Sequence, residues 1–237
     1  PTPVPQPTPV TTPEPVVEEP PAYDAQSVRA TLGVQPWDSA YSVGVAVIDS
    51  GIAPAADIVN SIFAFYDFTQ GGIQATPSDA YGHGTHVAGL IAGDGTLSNG
   101  KYVGVTPGVR LIGLKVLNEL GQGYTSDVIA AIEFAIANKT SLGIDVINLS
   151  LGHPILESPS TDPLVQAVEH AVRAGIVVVA SAGNRGVNPA TGQIGYAGVT
   201  SPGNAPSALT VGAVRTRGTA DRSDDEISMF SSRGPTW

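Results

Sequence analysis

Val43-Gly44-Val45-Ala46-Val47-Ile48-Asp49 is the stretch on which the fold turns. It is a short apolar run with no polar alternation, closed by a carboxylate. A strand with one face in water alternates apolar and polar residues. A run without alternation suits a strand buried on both faces, as in a parallel sheet. Four more runs share this character: Val109 to Leu117, Asp145-Val146-Ile147-Asn148-Leu149-Ser150, the nearly all β-branched Ile176 to Val179, and Leu209 to Val214. Helical patterns lie between them. Val128, Ile129, Ile132, Ala135 and Ile136 fall on one face of a helix. Asp162-Pro163 reads as an N-cap followed by proline at the first helical position, with Val165, Val168 and Val172 as the apolar stripe and Gly175 as the stop. Strands alternating with helices predict an α/β domain with a doubly wound, mostly parallel sheet and helices on both faces.

Composition agrees with one large globular domain: 237 residues, 42% hydrophobic and 14% charged. The net charge is −10, with 11 Lys plus Arg. No clustered basic surface of the kind phosphate binding needs can be read, so nucleic acid is not expected as a partner. No run of apolar residues is long enough for a membrane span. The lack of cysteine excludes a disulfide framework, a thiol nucleophile and a Cys-ligated zinc site. Residues 1 to 21 hold nine prolines. Proline removes amide donors and fixes φ, so residues 1–22 read as a disordered, extended linker and 23–237 as the folded domain. A Pro-x-x-Pro ligand is the alternative use of the linker. The chain opens on Pro1 with no charged-then-apolar signal segment, which reads as a processing product, an engineered boundary or a fragment.

Open parallel sheets bind ligands beyond the carboxyl ends of their strands, which is where three candidate elements fall. Asp49-Ser50-Gly51 closes the first run; alone it reads as a turn. Gly82-His83-Gly84-Thr85-His86-Val87-Ala88-Gly89 opens a helix whose inner face is expected to carry Val87, Leu90 and Ile91. Its two histidines lack the His-Glu-x-x-His pattern and have no cysteine pair beside them, which argues against zinc. Ala180-Ser181-Ala182-Gly183-Asn184 follows the fourth run, and an amide there suits donation to an anionic oxygen, or else an Asn in a left-handed turn.

Taken together and in this order, these segments resemble the subtilisin-like serine proteases, the subtilases. Asp49-Ser50-Gly51 resembles their aspartate motif, His83 to Gly89 their histidine motif, and Ser181-Ala182-Gly183-Asn184 their oxyanion-hole motif. Ile147 to Gly152, Ser201-Pro202-Gly203-Asn204 with Leu209 to Ala213, and Phe230 to Pro235 also resemble subtilase segments. The resemblance implies a serine endopeptidase with Asp49 orienting the imidazole, His83 as general base and then acid, and Asn184 as oxyanion donor; His86 is read as structural. It further implies that Gly121-Gln122-Gly123 and Ser150-Leu151-Gly152 are the edges that hold an extended protein or peptide substrate by strand addition, with Ser181, Ala182 and Gly183 beside them. An inhibitory propeptide and an extracellular or cell-envelope location come from the family as well.

One departure is the nucleophile. The family carries it in a Gly-Thr-Ser motif after the Arg-Gly-Pro segment, and no Gly-Thr-Ser occurs in this sequence. Ser50, Ser150, Ser181, Ser231 and Ser232 sit in other motifs, so the peptidase domain is expected to be incomplete at its C-terminus and inactive alone. The alternative is a pseudoprotease that keeps the cleft as a peptide-binding scaffold. A nucleotide-binding domain is disfavoured, because neither Gly-x-Gly-x-x-Gly nor a P-loop is present. No cofactor is expected for catalysis. Residues 93–100 occupy the place of a calcium loop in some relatives; Asp94 and Asn99, with Asp57 from upstream, would be hard oxygen ligands, and a solvated Gly-rich turn is the alternative. Arg185 stands where many subtilases carry an acidic residue near the primary specificity pocket.

Overall fold

A computed structural model describes residues 29, 31–34 and 43–236. The proline-rich segment and the start of the expected domain at residue 23 lie outside the described residues. The main sheet has seven strands in the order β3-β2-β4-β1-β5-β6-β7. These are β1 (Gly44–Asp49), β2 (Ile62–Asp67), β3 (Ile73–Gln74), β4 (Arg110–Lys115), β5 (Val146–Leu149), β6 (Val177–Ser181) and β7 (Leu209–Val211). All neighbours pair in parallel except β2 with β3. The helices are α1 (His83–Ala92), α2 (Thr125–Ala137), the single turn α3 (Lys139–Leu142) and α4 (Pro163–Arg173).

The unalternating run at β1 is explained by its neighbours. Every residue of the strand is buried. Val45 and Val47 pack with Ala88 and Ala92 of α1 on one face, while Ala46 and Ile48 pack with Val128, Ile132, Val165 and Val168 of α2 and α4 on the other. Two apolar layers therefore sandwich the central strands, and each fully buried Ile or Val contributes about 1.5–3 kcal/mol by leaving water. Helix α4 follows its sequence signals closely. Asp162 accepts from the Leu164 and Val165 amides, and Pro163 takes the first turn. At the other end the amides of Gly175 and Ile176 reach back to the carbonyls of Val172 and Ala171, a Schellman closure.

Three expectations are corrected. The inner face of α1 is Gly84, Ala88 and Ala92, flanked by Val87 and Ile91, whereas Leu90 is 56% exposed. Small residues at i, i+4 and i+8 let the helix lie close on the sheet, which rotates Leu90 outward. The run Leu209 to Val214 is not one strand: β7 ends at Val211, and β8 (Val214–Arg215) leaves to pair with β9 (Glu226–Ile227) in a separate antiparallel ribbon. Nor are β6 and β7 buried on both faces. Val178 and Ala180 join the core, but Val177, Leu209 and Val211 are exposed on the side where α1 covers β1 and β4. Helix α1 packs on β1 and β4 and leaves that side of β6 and β7 open.

Replacing the α4 cap by Asp162→Ala should lower stability by about 1 kcal/mol, because two amides lose their acceptor. Urea unfolding followed by circular dichroism measures this; an unchanged midpoint would show that the cap contributes nothing.

Candidate active site

Parallel pairing brings the carboxyl ends of β1, β4, β5 and β6 to one edge of the sheet. That edge therefore carries Asp49, Lys115, Ser150 and Ser181 side by side. Asp49 is fully buried at the end of the central strand. Its Oδ1 accepts from the Ser50 amide at 2.7 Å, and His83 Nδ1 lies 2.8 Å from Oδ1 and 2.9 Å from Oδ2. A buried carboxylate is stable only when its lone pairs are matched. Here a backbone N–H and an imidazole N–H match them. The same contact fixes the histidine tautomer: with Nδ1–H donating to Asp49, Nε2 is left as an acceptor. The His83 side chain is 42% exposed, so the imidazole is not enclosed in the core.

The pair forms because α1 begins very close to the end of β1. The Gly84 amide donates to Ser50 Oγ at 2.9 Å. A Cβ at Gly84 would stand 2.2 Å from the Gly51 carbonyl oxygen and 3.1 Å from Asp49 Cβ, so only glycine permits the approach. Sequence reading missed the group that holds the helix start. Asp79 accepts from the Gly82 amide through Oδ1, and from the Thr85 amide and hydroxyl through Oδ2 at 2.9 and 2.6 Å. Thr85 Oγ1 accepts in turn from the Ala53 amide in the chain after β1. Burial pushes the Asp79 carboxyl up, but the bonds from Thr85 and Gly82, with Ser50, outweigh it and hold the group below its ordinary value. The signal was hard to read, because Asp79 stands three residues ahead of the cap position, which Gly82 occupies in a left-handed conformation. Lys115 is a second missed residue. Its Nζ donates to the carbonyls of Ser50 and Leu117 and so ties the turn after β1 to the loop after β4.

Asn184 lies exposed in the loop after β6, two strands from β1, hence about 10 Å across the sheet. The left-handed residue is its neighbour Gly183, at φ 98°, so the turn reading applies to the glycine and not to Asn184. The loop is braced from the C-terminal segment. Ser232 Oγ accepts from the Arg185 amide at 3.0 Å, and the Ser232 amide donates to the Gly183 carbonyl at 2.9 Å. His86, expected to be structural, has an exposed side chain.

The two expected substrate edges meet across one cavity of about 260 Å³. Gly121, Gln122 and Gly123 line one side, and Leu151 and Gly152 the other, above Leu117, Val128 and Leu164. Ser150 does not line it; its hydroxyl accepts from Asn148 Nδ2. Ser181 Oγ donates to the Leu151 carbonyl at 3.5 Å. Tyr81 is the third missed residue. Its ring lies against Gly121, where a Cβ would come within 2.5 Å of it, and stands 6.5 Å from the His83 ring.

The expected metal residues do converge in part. The Leu97 amide donates to Asp57 Oδ1, the Asp94 amide to the Asp57 carbonyl, and the Thr96 amide to Asp94 Oδ1. Asn99 adopts a left-handed conformation at the end of this turn. The donor set is oxygen-rich, as calcium prefers. However, N–H groups already engage one oxygen of each carboxylate, and no group of three or more His, Cys, Asp or Glu side chains able to hold a metal ion exists among the described residues.

Comparison with known proteins settles the family. The subtilase family model matches residues 41–237. The chain belongs to the subtilase family. It is 42% identical over 199 residues to the serine protease AprX of Bacillus subtilis (strain 168), covering 82% of this chain and 43% of AprX. It is 40% identical over 200 residues to subtilisin E of the same strain, covering 81% of this chain and 44% of that protein. The chain thus spans less than half the length of these relatives. Among solved structures, sphericase superposes with a TM-score of 0.71 at 29% identity, covering 88% of this chain and 65% of that one. A cold-adapted subtilisin-like serine proteinase superposes at 0.63 with 32% identity, covering 83% and 61%.

In this subtilase, Asp79 should matter for stability and for its dependence on pH. A carboxyl whose folded-state pKa is lowered stabilises the fold above its unfolded-state pKa, and that contribution is lost as pH falls through the folded-state value. Asp79→Ala should cost about 1 kcal/mol near neutral pH, as for a lost helix cap. It should also flatten the fall in stability below about pH 4. Urea midpoints for both proteins at neutral and acidic pH test this; parallel acid limbs would remove Asp79 from the account.

Proposed function

We propose that this chain carries the acid–base half of a serine endopeptidase site and the cleft that presents protein or peptide substrates to it. The observation that carries the reading is the His83 Nδ1 contact with both oxygens of buried Asp49. In the reaction, His83 Nε2 takes a proton from a serine hydroxyl as that oxygen attacks the peptide carbonyl. It then gives the proton to the leaving amine, and the acyl-enzyme is hydrolysed by the reverse sequence with water. Asp49 keeps the tautomer and stabilises the imidazolium. The Asn184 amide donates to the tetrahedral oxyanion. The substrate backbone lies as an extended strand between the Gly121–Gly123 and Ser150–Gly152 edges.

We infer from the lack of a Gly-Thr-Ser motif in the sequence that this chain does not hold the nucleophilic serine. Ser50, Ser150, Ser181, Ser231 and Ser232 are each engaged in bonds to groups other than His83. The isolated chain is therefore expected to be inactive, and the activity belongs to a protein that also supplies that serine. An extracellular setting and an inhibitory propeptide are part of the same proposal, supported by the family. No helix among the described residues is long and apolar enough to cross a membrane.

In the enzyme that carries the nucleophile, Asp49→Asn should lower kcat by about 10⁴, the loss known for the same exchange in another serine protease. Asn184→Ala should lower kcat by about 10²–10³ with little change in KM, because its bond forms only in the transition state. Steady-state kinetics on a peptide amide decide both. A raised KM with kcat intact would take Asn184 out of the oxyanion site. Arg185 is proposed to disfavour lysine in the adjoining specificity pocket, so Arg185→Glu should shift the rate ratio toward Lys over Glu substrates, most clearly at low salt.

Calcium at Asp57, Asp94 and Asn99 is proposed as a structural ligand. It would stabilise by RT ln(1 + [L]/Kd), about 2.7 kcal/mol at 100-fold excess over Kd. The melting temperature should rise in millimolar calcium over a chelator, and Asp57→Asn should abolish the rise; an unmoved melting temperature makes the loop a hydrogen-bonded turn.

A further inference from the structure

A second and larger cavity, of about 650 Å³, lies on the outer side of the Gly121–Gly123 edge. Gln122, Gly123 and Tyr124 line both cavities, so the two are neighbours along the same stretch of backbone. The outer one is floored by the buried side chains of Phe68 and Val116 and walled by Tyr124, which is 76% exposed. Asn118 and Gln122 add amide groups, and Asp127 supplies the single carboxylate of the lining. No cationic side chain lines it.

Asp127 belongs to the first turn of α2, a position where carboxylates commonly serve the helix. Here the side chain makes no such bond. Among the described residues, its carboxylate accepts only from Ser126 Oγ, at 3.4 Å. A carboxylate beside an apolar floor and two aromatic rings is suited to one kind of guest. The methylene stem of an arginine or lysine packs over the Phe68 floor, its head meets Asp127, and Tyr124 lies along it. The planar guanidinium gains most, because it stacks and donates in parallel pairs.

We propose that this outer cavity is a remote subsite for a basic side chain, arginine above all, of the peptide held in the cleft. The inference rests on the proposed cleft but adds a recognition element that the acid–base pair does not require. An extended peptide advances about 3.3 Å per residue, so a residue within a few positions of the one seated in the inner cavity can turn over Gly123 and enter the outer one.

The test is equilibrium binding to the full chain, which needs no nucleophile. Fluorescent blocked peptides carry a single arginine at successive positions, and each is compared with its citrulline analogue, which has the same shape without the charge. One position should favour arginine by about tenfold, the scale of a charge-assisted pair. Asp127→Asn should remove the preference and Asp127→Glu should keep it. Tyr124→Ala, a change at an exposed side chain that leaves the core untouched, should weaken it. Glu119→Gln, on the same loop but outside the lining, should leave it intact. A preference that survives Asp127→Asn, or that Glu119→Gln removes equally, overturns the proposal and points to the general acidity of the chain. Binding without any preference overturns the subsite and leaves the cleft standing. Failure of every peptide to bind overturns both.

Discussion

A carboxylate shut away from water at the end of the central strand is the constraint on which the rest of this structure depends. Removing an ionised group from water costs several kcal/mol, and Asp49 is tolerable only because the Ser50 amide and the His83 imidazole meet its oxygens. That requirement fixes where α1 must start. The start in turn requires Gly84, against which no side chain fits, and Asp79 to hold the first turn down. The histidine is thus placed by a chain of local necessities, each of which fails if the previous one is relaxed.

The parallel sheet supplies the platform. Its strands end along one edge, so residues far apart in sequence arrive side by side: Asp49, then Ser150, then Ser181 with Asn184 beyond it. The helices that bury the two faces of β1 also make that edge rigid, because the alternating side chains of the strand are locked into two separate apolar layers. Lys115 joins the acid–base turn to the loop that carries the glycine edge of the cleft. Disturbing either one should therefore be felt at the other.

Much of this was legible in the sequence, for a physical reason. A strand buried on two faces cannot alternate, so β1 and β4 announced themselves, and Asp162-Pro163 with Gly175 bounded α4 almost to the residue. What could not be read was tertiary. Leu90 has the spacing of a core residue, yet the glycine and alanines of α1 set the contact face. Leu209 to Val214 looks like one buried strand because its hydrophobicity gives no hint that the ladder ends at Val211. Asp79, Tyr81 and Lys115 escaped notice because each acts through a partner distant in sequence or through a cap of unusual spacing. The segments that resemble the subtilases pointed to Asp49, His83 and Asn184, but the brace that Ser232 gives the Asn184 loop appears only in three dimensions.

The central claim is that Asp49 sets the protonation geometry of His83 within this chain. Nitrogen-15 NMR of the imidazole, with selective assignment of His83, reads it directly. At a pH where the ring carries a single proton, the account predicts that proton on Nδ1, protected from solvent exchange, and its shift to Nε2 in Asp49→Asn. A wild-type ring that carries its proton on Nε2, or that exchanges freely and is indifferent to Asp49→Asn, would contradict it.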